Sequence, residues 1–125
     1  MIKALGAKIY ARIVHRKNQK WITDPIEAQK KVFRRLIKRG INTRFGREHN
    51  FNQIKRQKEF QSAVPIRDYE GLKQYIDAVL EGESDVLWPG RPLYYAKSSG
   101  TTSGAKYIPI TKESMPQHIR AAREA

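Results

Sequence analysis

Cysteine does not occur anywhere in this 125-residue sequence, which excludes a disulfide framework and a thiolate metal site. Long apolar runs are missing as well, and none approaches the roughly 20 residues that cross a bilayer. Lys3, Lys8 and Arg12 interrupt the N-terminal stretch, where a secretory signal would need an unbroken apolar core. Together these absences fit a reducing, cytoplasmic setting. Histidine is sparse: His15, His49 and His118 lie far apart and out of ligand spacing, so no metal site is expected. Acidic residues are scarce in one half only. Residues 1–60 carry 17 Lys and Arg against 4 Asp and Glu, whereas residues 61–125 carry 8 of each. The whole net charge of +13 therefore sits in the first half. Such an excess is one expected of a basic module that binds nucleic acid or an anionic membrane surface. No motif of interleaved aromatic and basic residues accompanies it, which favours a plain solvated flank.

What is present reads as a series of helices followed by a hairpin. Ile2, Leu5, Ile9 and Ile13 recur at three- and four-residue steps, the pattern of a basic amphipathic helix over residues 2–17. A stripe of this kind can lie on a membrane or, more simply, pack on its own protein. Asp24, Pro25 and Glu27 form a helix start, with Ile26, Phe33, Leu36 and Ile37 along one face and Gly40 as a left-handed stop. Thr43–Gly46 reads as a short helical turn and His49–Phe60 as another basic helix. After Pro65, Asp68 caps a helix whose inward face is Tyr69, Leu72, Ile76, Val79 and Leu80, and Gly82 ends it. Gly71 is a weak point inside that helix. Asp85–Pro92 is irregular. Leu93–Ala96 and Tyr107–Ile110 are two β-prone runs, and Pro109 marks the second as an edge strand. Thr111 caps a last helix that meets no stop signal by Ala125. Trp21 and Trp88 read as packing anchors. A two-strand hairpin cannot bury itself alone, so the sequence is expected to be part of a longer chain.

Between the two strands lies Ser98–Lys106, SSGTTSGAK. Gly100 and Gly104 allow successive backbone N–H groups to turn inward and form an anion nest. Ser98, Ser99, Thr101, Thr102 and Ser103 add hydroxyl donors, and Lys106 adds a mobile positive charge. The common P-loop is excluded, because the two glycines are four apart, Lys106 does not follow a glycine, and a strand rather than a helix comes next. The nucleophile elbow G-x-S-x-G is also missing. Composition alone leaves two readings open: a phosphate grip, or a flexible surface hairpin of small polar residues.

Order and flanks separate the two. Ala96–Thr111, AKSSGTTSGAKYIPIT, resembles the first ATP-binding motif of the acyl-adenylate-forming superfamily, whose pattern is S-G-T-T-G-x-P-K. Ser99–Thr102 matches it, Lys106 stands at the motif spacing from Thr102, and Ser103 replaces a glycine. The doubled serine and the following Ile-Pro are similar to the auxin-responsive acyl-acid amido synthetases. So are Thr43-x-Phe45-Gly46, Val64-Pro-Ile, Arg67-Asp-Tyr-Glu, Gly82-Glu-Ser and Leu87-Trp-Pro.

The resemblance implies a partial N-terminal adenylate-forming domain over 1–125. It would comprise a helical region 1–90, an ATP-binding hairpin 93–110 and the start of a helix 111–125. The fold class is then α/β for the whole enzyme and α+β within this segment. The implied function is that of an ATP-dependent ligase, which activates a carboxylic acid as an acyl-adenylate and passes it to an amine such as an amino acid. By the same resemblance Ser98, Ser99, Gly100, Thr101, Thr102, Ser103, Gly104 and Lys106 would bind ATP. Mg2+ would be held mainly by residues outside this chain, and the remainder of the same polypeptide would be a partner. The catalytic residues are not assigned, and these 125 residues alone are expected to be inactive.

Overall fold

A computed structural model describes residues 2–98 and 104–124. In order, the elements are α1 (Ile2–Thr23), α2 (Pro25–Gly40), α3 (Arg44–Glu48), a 3-10 turn (Phe51–Gln53), α4 (Gln57–Ala63), α5 (Tyr69–Leu80), β1 (Tyr94–Ser98), β2 (Lys106–Ile110) and α6 (Met115–Glu124). This is the expected α+β arrangement of helices, hairpin and final helix.

Local chemistry sets the helix starts. The Asp24 carboxylate accepts the Glu27 N–H at 3.0 Å, with Pro25 in the first position of α2. Asp68 does the same for α5 through the Gly71 N–H at 2.8 Å. Each cap satisfies one of the donors that a helix start leaves orphaned. Thr111 and Ser114 bond reciprocally, backbone to hydroxyl in both directions, in the turn that precedes α6.

The core sits between α2, α3, the 3-10 turn and α5, and Phe45 is its hub. One buried group is Tyr75, Ala78, Val79 and Val86, with Leu72 and Leu87 against it. The other is Ile37, Phe51 and Ile54, with Phe33 and Phe60 beside it. The Phe45 ring meets Tyr75 edge-on at 5.1 Å and Phe51 at 5.9 Å, and stacks on His49 at 4.1 Å. Edge-to-face aromatic pairs of this kind each add about 0.5–1.5 kcal/mol beyond the area they bury. Arg44 N–H and Phe45 N–H also bond the carbonyls of Asp85 and Val86, which fastens the irregular Asp85–Gly90 loop onto α3.

Several expectations are corrected here. Gly40 is not a left-handed stop: the helix runs through it and Ile41 after it is still right-handed. Its missing side chain matters for packing, since a Cβ there would lie 2.9 Å from the Phe51 ring. His49–Phe60 is not one helix, because Asn50 takes φ 52° and turns the chain into the 3-10 segment before α4 begins. On α2, Ile37 is buried but Ile26 and Leu36 are exposed. On α5, Tyr75 and Ala78 are buried while Leu80 is exposed. Trp21 is no anchor either: it is exposed, with its indole N–H on Asn18.

Candidate functional site

β1 and β2 pair antiparallel, with Tyr94 opposite Ile110, Ala96 opposite Ile108 and Ser98 opposite Lys106. That register fixes the hairpin mouth, where a hydroxyl and an ammonium-bearing side chain face each other across the last rung. Gly104, on the return arm, has φ +86°, a left-handed conformation that L side chains rarely adopt. Among the described residues nothing lies within 4 Å of its Cβ position, so the call for glycine there rests on conformation. Of the residues expected to bind ATP, the structure thus places Ser98, Gly104 and Lys106 at one end of the hairpin. Ser99, Gly100, Thr101, Thr102 and Ser103 lie outside the described residues.

Two tyrosines hold the hairpin against α5. The Tyr69 hydroxyl accepts the Tyr107 N–H at 2.9 Å, and the Tyr95 hydroxyl donates to the Val79 carbonyl at 2.9 Å. Lys106 Nζ lies 5.6 Å from the centre of the Tyr69 ring, and Lys97 Nζ lies 6.0 Å from that of Tyr107. Among the described residues neither lysine is in an ion pair. Both charges are therefore available to an anion. Sequence reading singled out Lys106 and passed over Lys97, whose strand position puts it on the opposite face of the hairpin. It also placed Tyr69 in the core, where its hydroxyl instead reaches a strand 38 residues further on.

Behind the site, a polar cluster braces α5 against α3. Tyr75 donates its hydroxyl hydrogen to Glu48, which also accepts from Arg44 Nε at 3.1 Å. The Tyr75 bond, and then the Arg44 bond, hold the Glu48 carboxyl below the usual carboxylate range. Arg67 reaches the Tyr75 hydroxyl from the other side at 3.4 Å. Across the molecule, Arg39 pairs with Glu113 at 3.0 Å and ties α2 to the turn that precedes α6. Among the described residues no three His, Asp or Glu side chains gather as a cation site.

The described parts form a hairpin whose mouth carries a hydroxyl and an ammonium, mounted on a small helical core. The family model described as the GH3 family N-terminal domain matches residues 14–124, and the chain belongs to the GH3 family. Similar curated proteins come from Arabidopsis thaliana. Indole-3-acetic acid-amido synthetase GH3.15 is 32% identical over 99 residues, 78% of this chain and 16% of the relative. Indole-3-acetic acid-amido synthetase GH3.2 is 29% identical over 94 residues, 74% of this chain and 17% of the relative. Indole-3-acetic acid-amido synthetase GH3.4 is 30% identical over 91 residues, 72% of this chain and 15% of the relative. The chain thus matches only about a sixth of the length of these relatives.

The Thr43-x-Phe45-Gly46 segment has a clear physical role in the structure. The Thr43 hydroxyl donates to the Gly40 carbonyl at 2.7 Å and accepts the Gly46 N–H at 2.9 Å. Thr43 is 1% exposed, so both bonds are formed out of water. This segment builds the core rather than the site. Among the described residues, no helix is long and apolar enough to cross a membrane.

Proposed function

We propose that this chain supplies the ATP-phosphate grip of an acyl-acid amido synthetase. The observation that carries the reading is the hairpin mouth: Ser98 opposite Lys106, with Gly104 left-handed beside them. A strand–loop–strand of this kind can turn N–H groups and hydroxyls onto phosphate oxygens without a helix dipole. The names of the relatives support an acid and an amine as the two groups joined.

In the reaction so assigned, a carboxylate oxygen of the acid attacks the α-phosphorus of ATP. The bond to the β,γ-pyrophosphate breaks, leaving an acyl-adenylate. An amine nitrogen then attacks the acyl carbon, the bond to AMP breaks, and the nitrogen loses a proton. This chain's part lies in the first step. Ser99, Thr101 and Thr102 would donate hydroxyl bonds to the departing pyrophosphate, Gly100 and Gly104 would allow close backbone approach, and Lys106 would offset the growing charge. Ser98 and Ser103 complete the set of hydroxyls. The domain reading of 1–125, with its hairpin at 93–110, belongs to the same proposal, as does a cytoplasmic setting.

The test is acid-dependent exchange of labelled pyrophosphate into ATP by the intact gene product. Hydrogen bonds to charged groups are each worth about 1.5–3 kcal/mol. Two lost hydroxyls should slow exchange by about 10²–10⁴-fold in the Thr101→Ala, Thr102→Ala double variant. Exchange at the unaltered rate in that variant, or none in the parent protein, would refute the assignment.

A further inference from the structure

The block Arg67-Asp68-Tyr69-Glu70-Gly71 takes no part in the proposed chemistry, yet three of its side chains reach three different places. Arg67 lies over the rings of Phe45 and Tyr75, 6.0 and 5.9 Å from their centres, and so grips the core. Asp68 accepts the Gly71 N–H and fixes where α5 begins. Tyr69 is the first residue of α5, and its side chain turns to the hairpin.

There it makes two contacts with consecutive residues. Its hydroxyl takes the Tyr107 N–H at 2.9 Å, and its ring lies under the Lys106 ammonium at 5.6 Å. The first contact holds the strand backbone. The second restrains the side chain that the strand carries. A lysine on a free stem must give up rotamer freedom when it binds phosphate, and a ring beneath it removes part of that loss beforehand. The choice of partner also matters. A carboxylate would hold the ammonium by cancelling its charge, whereas an aromatic face attracts the cation and leaves its charge intact for an incoming anion.

We propose that Tyr69 is the positioning residue of the phosphate grip: its ring pre-sets Lys106, and its hydroxyl fixes the strand bearing it. This rests on reading the hairpin as a phosphate grip. Arg67 and Asp68 then act as the mount that transmits the rigidity of the core to the hairpin. Neither touches the ligand.

Two measurements on the protein separate this proposal from the reading beneath it. In the first, lysines are reductively methylated with a carbon-13 label and observed by nuclear magnetic resonance, the Lys106 signal being assigned with Lys106→Met. The Lys106 methyls should resonate upfield of ordinary lysines, through the ring current of Tyr69. They should stay there in Tyr69→Phe and return to the ordinary position in Tyr69→Leu. Lys106 methyls at the ordinary position in the parent protein overturn the proposal. So does a shift that Tyr69→Leu leaves unchanged.

The second is titration with magnesium ATP. The dissociation constant should rise about 3–10-fold in Tyr69→Phe, which loses one neutral hydrogen bond, and further in Tyr69→Leu. On a Lys106→Met background, Tyr69→Leu should weaken binding no more than Tyr69→Phe does, because the ring has no cation left to place. A merely structural tyrosine would cost Tyr69→Leu its extra weakening on both backgrounds, and that result overturns the proposal. If the methyl shifts behave as expected but the parent protein does not bind ATP, the phosphate reading falls, and the positioning role with it.

Discussion

Replacing Gly46 with alanine would put a methyl carbon 1.9 Å from the carbonyl oxygen of Gly40 and 2.8 Å from its carbonyl carbon. Both neighbours are backbone, so no side-chain rotation relieves the clash. The same carbonyl accepts both the Thr43 N–H at 3.0 Å and the Thr43 hydroxyl at 2.7 Å. Moving it away therefore strains the turn between α2 and α3. Overpacking a close-packed site costs about 1–3 kcal/mol. Disturbing the Thr43 cap on the Gly46 N–H adds about 1 kcal/mol. A loss of about 2–4 kcal/mol follows, a large share of the 5–15 kcal/mol that typically holds a domain. At about 4 °C per kcal/mol for a chain of this size, the midpoint should fall by roughly 8–16 °C. Thermal and urea melts followed by circular dichroism would measure this, with Gly6→Ala as the control. Gly6 lies within α1, and among the described residues nothing stands within 4 Å of its Cβ position. Alanine there should be neutral or stabilising by up to about 1 kcal/mol. A Gly46→Ala midpoint within 2 °C of the parent would refute the close-approach argument.

Two further outcomes can be checked in the same melts. Asp68→Ala should cost about 1 kcal/mol through the lost α5 cap, and Asp68→Asn should recover most of it; equal losses in both would show that charge, not the cap bond, matters. Glu48 gives a pH dependence. Its carboxyl is depressed in the folded state, so its stabilising effect is complete above the unfolded value of about 4.3 and is lost as pH falls through the lower folded value. The stability difference between the parent and Glu48→Gln should be constant above about pH 5 and shrink below pH 4; a difference that grows on acidification would contradict the Tyr75 and Arg44 bonds to Glu48.

What could be read from the sequence was whatever is settled within a few residues. Asp24 with Pro25, and Asp68 before Tyr69, announce their helices because a cap bond needs only the next turn. The hairpin was legible for the same reason, and its strands run only a residue or two from the expected bounds. Longer-range causes were not legible. Gly40 resembles a stop signal, yet its lack of a side chain answers to Phe51, eleven residues on. Asn50 is of a type that tolerates the left-handed region, but that tolerance alone does not announce a break that splits 49–60. Leu36 and Ile108 are apolar on periodic faces, yet both are exposed and line an open hollow of about 700 Å3 between α2, β2 and α6. Of the site, the loop between two strands was legible, but its expected bounds held Ser98 and Lys106 inside the loop, whereas they pair as the last rung of the hairpin. Tyr69 could not have been found this way, since a hydroxyl 38 residues away leaves no periodic trace.

The bond from Tyr107 to Tyr69 also bears on how this hairpin could join a larger sheet. Strand N–H groups alternate between the two edges, so those at positions 107 and 109 point the same way, away from β1. The first is spent on a tyrosine hydroxyl and the second does not exist, because residue 109 is proline. The outer edge of β2 therefore has no free donor along its middle, and a further strand could not zip onto it. The outer edge of β1 carries no such block, and the side chains of β1 are exposed along its whole length. Any growth of the sheet is thereby directed to one side. The same edge chemistry protects β2 from adventitious strand pairing with other chains.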